Sequence, residues 1–206
     1  MVAKIQRRQL LAAALTGLVA PTAFAENTKP ASTERAMRMK FSELTPDETL
    51  YVIEHTNNAV LSTTDASGTP YGVPITPLYS EGKIYFHGTK NELSRKLQNM
   101  RQNPRVHITW IGYDPIKEDK YTVTYVSAMA AGKAREITDP QEKAKVFRLF
   151  CARFIPSQTN QTVERLIKKD MVNANIWEVT IEKLSGKQNQ AKNPYFNKKV
   201  PSDKPV

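Results

Sequence analysis

The sequence predicts a single mainly β domain with flanking helices, a closed or nearly closed barrel whose helices act as plugs. Three observations lead there. Short runs rich in β-branched and aromatic residues recur between residues 58 and 184, most of them separated by tight-turn residues. Helical periodicity is confined to a few brief stretches. The 206 residues carry no internal repeat and no second composition block, and their length suits one domain better than two.

Each element has its own signal. Thr45-Pro46-Asp47-Glu48 is a capping box with proline at the first helical position, so a short helix is expected to about His55. Residues 58–64 have strand composition, and Asp65-Ala66-Ser67-Gly68 reads as a turn. A second strand is expected over 71–79. Pro74 and Pro77 remove two ladder donors from it, so it must be an edge strand or bulged. Glu81-Gly82 turns the chain into a third strand over 83–87, and the three together predict a meander with two tight turns. A helix over 91–102 would place Leu93, Leu97 and Met100 on one face, with Asn103-Pro104 ending it. Strands over 105–111 and 121–136 follow, then helices over 139–154 and 162–169. A closing strand over 174–184 carries Trp177 towards the barrel core.

The first residues do not belong to this domain. Lys4, Arg7 and Arg8 precede an Ala/Leu-rich apolar stretch, and Ala23-Phe24-Ala25 offers small residues at the two positions a signal peptidase reads. Arg7-Arg8-Gln9-Leu10-Leu11 also resembles a twin-arginine signal, with Gln6 where Ser or Thr is usual; a general secretory signal is the alternative. The apolar stretch falls short of the about 20 residues a spanning helix needs, so no stable membrane insertion is expected. The organisation read from this is a signal peptide over 1–25, a linker over 26–36, a domain over 37–187 and a basic flexible tail over 188–206, in a periplasmic protein.

Charge narrows the partners. Removing the leader lowers the formal charge from +10 to +7, and the segment from Lys187 onward holds a net +4 of that. The domain keeps only about +3, which argues against a dedicated nucleic-acid surface. Cys151 is the only cysteine, so no intrachain disulfide can form, and its apolar helical setting predicts a packed core thiol.

Several kinds of site are absent from the sequence. It has no glycine-rich phosphate loop and no Gly-x-Ser-x-Gly elbow, and His55, His87 and His107 lack metal-site spacing. What remains is a constellation over 73–96. The proline-interrupted strand leaves backbone groups unpaired, which suits a planar heteroaromatic ring lying along it. Ser94-Arg95-Lys96 then brings a hydroxyl, a guanidinium and an ammonium to a helix start, the groups a phosphate monoester needs. On composition alone, the same three residues serve equally as a solvated helix face.

A resemblance bears on that choice. Phe86-His87, then Ser94-Arg95-Lys96, then Asn103-Pro104-Arg105 resemble the phosphate-binding stretch of pyridoxamine 5′-phosphate oxidases. Gly68-Thr69-Pro70-Tyr71-Gly72-Val73-Pro74-Ile75, Tyr125-Val126-Ser127 with Gly132-Lys133-Ala134, and the closing Val179 to Lys187 extend the likeness over residues 37–187. In order and spacing these are most similar to the Nim-like (nitroimidazole reductase) branch of that superfamily. The resemblance implies an FMN-binding split β-barrel and a homodimer, with the flavin in a cleft between subunits. Carried over by position, Val73, Pro74, Ile75 and Thr76 would border the isoalloxazine ring, and His87 would sit beside it as the catalytic residue. Gly88, Thr89, Ser94, Arg95 and Lys96 would meet the phosphate and ribityl groups, with Ser127 on an adjoining strand.

The function this implies is that of an exported FMN-dependent oxidoreductase reducing a small, nitroaromatic-type acceptor. Two alternatives remain open: a haem-binding or haem-degrading split barrel with His87 as axial ligand, and a non-catalytic flavin-binding module. The chain departs from the family pattern twice. The stretch from His87 to Lys96 is about two residues longer, leaving open which of Lys90, Arg95 and Lys96 meets the phosphate. The C-terminus lacks the Arg-Leu-Ala-Pro ending of true pyridoxamine-phosphate oxidases, which argues against vitamin B6 oxidation.

Overall fold

Thr45 opens the first helix, α1 (Pro46–His55), as its sequence requires. Its hydroxyl accepts from the Glu48 N–H at 3.2 Å, while Glu48 Oε2 accepts from the Thr45 N–H at 2.8 Å. Two orphan donors are thereby satisfied reciprocally. The structure is a computed structural model and describes residues 37–113, 115–189 and 194–197. The expected signal peptide and linker, and most of the expected tail, lie outside the described residues. Among the described residues, no helix is long and apolar enough to cross a membrane.

The strands are β1 (Ala59–Thr64), β2 (Pro70–Ile75), β3 (Leu78–Ser80), β4 (Lys83–Thr89) and β5 (Arg105–Tyr113). A small hairpin of β6 (Ile116–Lys117) and β7 (Thr122–Val123) stands apart, and β8 (Val126–Ile137) and β9 (Ala174–Gln188) complete the set. Seven of them form one antiparallel sheet in the order β2-β1-β5-β8-β9-β4-β3. Its two edges, β2 and β3, are consecutive in the chain and joined through Thr76 and Pro77 alone. From Ile75 to Leu78 the backbone reaches at most about 11 Å. Laid flat, seven strands would hold those edges about 29 Å apart. The sheet therefore curls until its edges meet at a seam that no ladder closes. This is a split β-barrel.

That seam corrects one expectation. The strand anticipated over 71–79 breaks at Thr76-Pro77, and its halves go to opposite edges. Both tight turns join neighbouring strands, β1 to β2 and β3 to β4, but the three strands form no meander, because β4 pairs with β3 and β9 and not with β2. The edge position of β2 is what allows Pro74 within a strand. The turn between β3 and β4 needs two left-handed residues, and Glu81 (φ 51°) and Gly82 (φ 76°) supply them.

Side chains alternate between two cores. Leu61, Phe86, Ile108, Trp110 and Trp177 fill the barrel, Trp177 at 2 % exposure. Tyr85 and Ile176 point the other way, against α3 (Pro140–Phe154) and α4 (Asn160–Asp170) through Phe147, Phe150 and Ile167. Asp139 and Thr159 cap those two helices by accepting from the backbone N–H of Glu142 and Thr162. Across the outer layer, Glu178 is 4 % exposed and accepts from Lys83 at 2.9 Å and from Arg135 at 3.1 Å. Burial pushes its carboxyl up, and the hydrogen bonds from Lys83 and Arg135 outweigh that, leaving it below the ordinary carboxylate range. Burial and the neighbouring Glu178 push Tyr85 up to about 12.

Helix α2 (Arg95–Gln102) starts later than its periodicity suggests. Asn91 accepts from the Leu93 N–H with its side chain and from the Ser94 N–H with its carbonyl, forming a turn that competes with the helix. Leu97 and Met100 are buried as expected, whereas Leu93 falls in the turn and is 84 % exposed. Within the expected tail, Pro194–Asn197 form a short 3-10 turn. The Tyr195 ring there meets Tyr51 of α1 edge-on at 5.7 Å, and its hydroxyl lies 3.3 Å from that of Thr56.

Candidate functional site

The seam creates the cleft. By stopping the ladder at Ile75 and restarting it at Leu78, the chain leaves Thr76 beside the end of β4, where His87 stands. Thr76 and His87 line both of two adjoining chambers. The smaller, about 270 Å³, is completed by Asn58, Pro74, Ile75 and Lys96. The larger, about 680 Å³, adds Thr89 and the inner faces of α3 and α4, including Phe147, Phe150, Cys151 and Asp170.

His87 shares the strand face of Tyr85, so it points towards the helices and not into the barrel. Its ring meets Phe150 edge-on at 5.0 Å and lies 6.1 Å from Phe147. The residue stays accessible on its cleft side, yet the ring is flanked closely enough for burial to lower its pKa. The Lys96 ammonium lowers it further, and Asp170 opposes both. At pH 7 the imidazole is therefore neutral, with one nitrogen donating and the other accepting.

Lys96 lies over Gly88. A Cβ at Gly88 would stand 3.3 Å from both Cε and Nζ of Lys96, so the absent side chain makes room for the lysine to lie there. Among the described residues, Lys96 forms no ion pair. Arg95, its neighbour, turns the other way. Its guanidinium sits 4.9 Å over the Tyr71 ring and 3.7 Å from Asp65, and it lines neither chamber. The rotation of about 100° between successive helical residues thus sends apart the two cations that the sequence offered together.

The other expected site residues divide. Pro74, Ile75 and Thr76 line the smaller chamber, and Gly88 and Thr89 the larger. Val73 is half-buried and packs on the barrel core, paired with Leu61. Ser94 occupies the N-cap of α2 with no side-chain cap bond. Ser127 lines neither chamber. It faces Ile111 across the ladder and donates to the Lys187 carbonyl at 3.5 Å, near the opposite end of β8 from Ile137, whose partner Ile176 lies beside His87. Cys151, expected as packed core, is half-buried on the chamber wall, because it follows Phe150 on the open side of α3. Asn58, Phe147, Phe150 and Asp170 were not singled out by sequence reasoning. Phe147, Phe150 and Phe154 do recur at spacings of three and four, but that stripe is equally the mark of an ordinary buried helix face.

A curled antiparallel sheet whose seam is lined by a histidine, a threonine and a lysine defines a split-barrel protein with a cleft at the split. The family model described as pyridoxamine 5′-phosphate oxidase matches residues 45–188, and the chain belongs to that family. Its fold is similar to that of a protein described as a 5-nitroimidazole antibiotic resistance protein from Bacteroides thetaiotaomicron, with a TM-score of 0.58 and 22% identity over 71% of this chain and 86% of that one. The flavocytochrome Anf3 from Azotobacter vinelandii matches with a TM-score of 0.59 and 16% identity, covering 83% and 82% of the two chains. A protein described as FAD and heme binding, from Mycobacterium smegmatis, matches with a TM-score of 0.58 and 18% identity over 73% and 74%. No curated protein matches the chain.

Proposed function

We propose that this chain is an exported, FMN-dependent oxidoreductase that reduces a small nitroaromatic-type acceptor, working as a homodimer. The observation that carries the reading is Lys96. A cation that pairs with no carboxylate among the described residues, lying across a glycine at the wall of a polar chamber, is a fitting counter-charge for a phosphate monoester. Thr76 and Asn58 add hydrogen-bonding groups beside it, and Pro74 and Ile75 give a flat edge for a ring. When bound, the flavin would supply the electron-transfer chemistry that no side chain here provides. The protein's part is to hold the phosphate at Lys96, to present the neutral His87 as a hydrogen-bond donor at the junction, and to exclude water with the α3–α4 aromatic wall. Ser127 lies outside both chambers of its own chain, which suits a role in a second copy's cleft.

Replacing Lys96 by Ala tests this. A charge-assisted hydrogen bond contributes roughly 1.5–3 kcal/mol, so FMN affinity should fall at least about tenfold. Riboflavin, which lacks the phosphate, should bind the variant nearly as well as the parent. Arg95→Ala should cost FMN less, since Arg95 is engaged by Tyr71 and Asp65. Equal losses for FMN and riboflavin in Lys96→Ala would remove Lys96 as the phosphate ligand.

A second reading, haem binding, is favoured by one observation: an accessible imidazole, His87, beside a roomy apolar chamber. A visible spectrum separates the two, through flavin bands or a Soret band. Export is tested by mass. Protein isolated from the native cell envelope should begin at Glu26, and a chain that retains Met1 or Val2 there would overturn the reading of the leader.

A further inference from the structure

We infer that the larger chamber selects planar aromatic cations and rejects aromatic anions. This deepens the proposed function, since it rests on that chamber being the acceptor site. Its walls are built of aromatic rings: Phe147 and Phe150 flank His87, Phe154 stacks on Phe150 with centroids 6.0 Å apart, and the Arg153 guanidinium already sits 5.6 Å over the Phe154 face. Such faces are negative at their centres and attract a cation that has shed part of its water. The charged groups point the same way. Asp170 lines the chamber, and no lysine or arginine among the described residues does.

Asp170 is also the last residue of α4, so the chamber wall lies where the helix dipole presents its negative end. Lys168 and Lys169 sit in the same final turn and are exposed, but they do not line the chamber. Two titratable groups on the wall contribute no charge near neutral pH. Burial, together with Asp170 and Glu164, pushes the Cys151 thiol up, and His87 is neutral. Of the nearby cations, Lys96 lines the smaller chamber and lies over Gly88 at the junction, and Arg153 is drawn over the Phe154 ring, but neither lines the larger chamber. The cleft is thus polarised, with the anion-seeking lysine on one side of the histidine and a cation-seeking aromatic wall on the other. A phosphorylated or carboxylated acceptor would meet Asp170 on a wall that no lysine or arginine among the described residues lines.

Three probes of one ring and different charge test this. The mature chain, in the presence of FMN, is dialysed against para-nitrobenzylamine, para-nitrobenzyl alcohol and para-nitrobenzoate at pH 7 and low salt. The amine should bind about tenfold or more tightly than the carboxylate, with the alcohol between them. In Asp170→Asn the gap between amine and carboxylate should narrow to about threefold or less, while the alcohol is unchanged and reports an intact chamber. A carboxylate that binds as well as the amine, or a gap that survives Asp170→Asn, overturns the inference. Dialysis needs no turnover. The charge preference is therefore decided separately from the flavin reading, which stands or falls on FMN and riboflavin binding by Lys96→Ala.

Discussion

His87→Ala should leave FMN bound and lower turnover with a nitroaromatic acceptor by about 100-fold or more, the span that one positioned hydrogen-bond donor to developing charge contributes. The imidazole is the one titratable side chain shared by both chambers. It is neutral at pH 7, because burial and the Lys96 ammonium both disfavour its charged form. In that form one ring nitrogen donates and the other accepts, and as pH falls through the lowered pKa the ring takes up a proton and both nitrogens donate. His87 is accessible on its cleft side, so its removal opens no core cavity and the melting temperature should move little. Three measurements on this variant separate the readings. Loss of turnover with flavin retained supports the hydrogen-bond donor. A haem protein would instead lose or shift its Soret band. A stable, flavin-loaded variant with undiminished turnover would remove His87 from the mechanism.

Gly132→Ala should destabilise the chain by about 3 kcal/mol or more, at the upper end of overpacking costs. A Cβ at Gly132 would stand 2.1 Å from the Thr180 carbonyl oxygen and 3.0 Å from Val179 Cγ1. The first neighbour is backbone and cannot rotate aside. Gly132 lies where the β8–β9 ladder shifts register, and it also pairs with Val106 on β5, so relief on one side strains the other. Gly88→Ala is the control. Its Cβ would meet only the flexible end of Lys96 at 3.3 Å, and that can swing away. Urea unfolding should show a large fall in midpoint for Gly132→Ala and almost none for Gly88→Ala. Equal midpoints would show that the β8–β9 contact is looser than its distances indicate.

Local chemistry was legible in the sequence where a signal and its partner sit close together. The Thr45–Glu48 box, the Asp139 cap and the edge character of the strand holding Pro74 all depend on neighbours within a few residues. The break at Thr76-Pro77 and the pairing of β4 with β9 did not show. Period-two alternation marks a strand but does not name a partner some 90 residues away, such as Ile176 for His87. The late start of α2 was hidden because Leu93 fits the helical stripe, while the Asn91 turn that displaces it is a competing local bond. At the site, resemblance singled out His87 and Lys96, yet Arg95 and Lys96 read alike until the helix direction sent one to Tyr71 and the other over Gly88. Asp170 gave no sign, for a carboxylate at the end of a polar helix looks like solvated surface.

The seam has a kinetic consequence. Thr76 and His87 are brought opposite each other by the local β3–β4 hairpin, but the α3–α4 wall of the larger chamber reaches them only when β9 pairs with β4. That pairing closes a loop of about 90 residues, an entropic cost met before the contacts reward it. The larger chamber is therefore complete only once that closure has been made. A molecule that recognises that chamber has nothing to grip on the partly folded chain, so it cannot hasten folding. It acts as a clasp on the finished barrel, holding the two edges together and slowing their reopening.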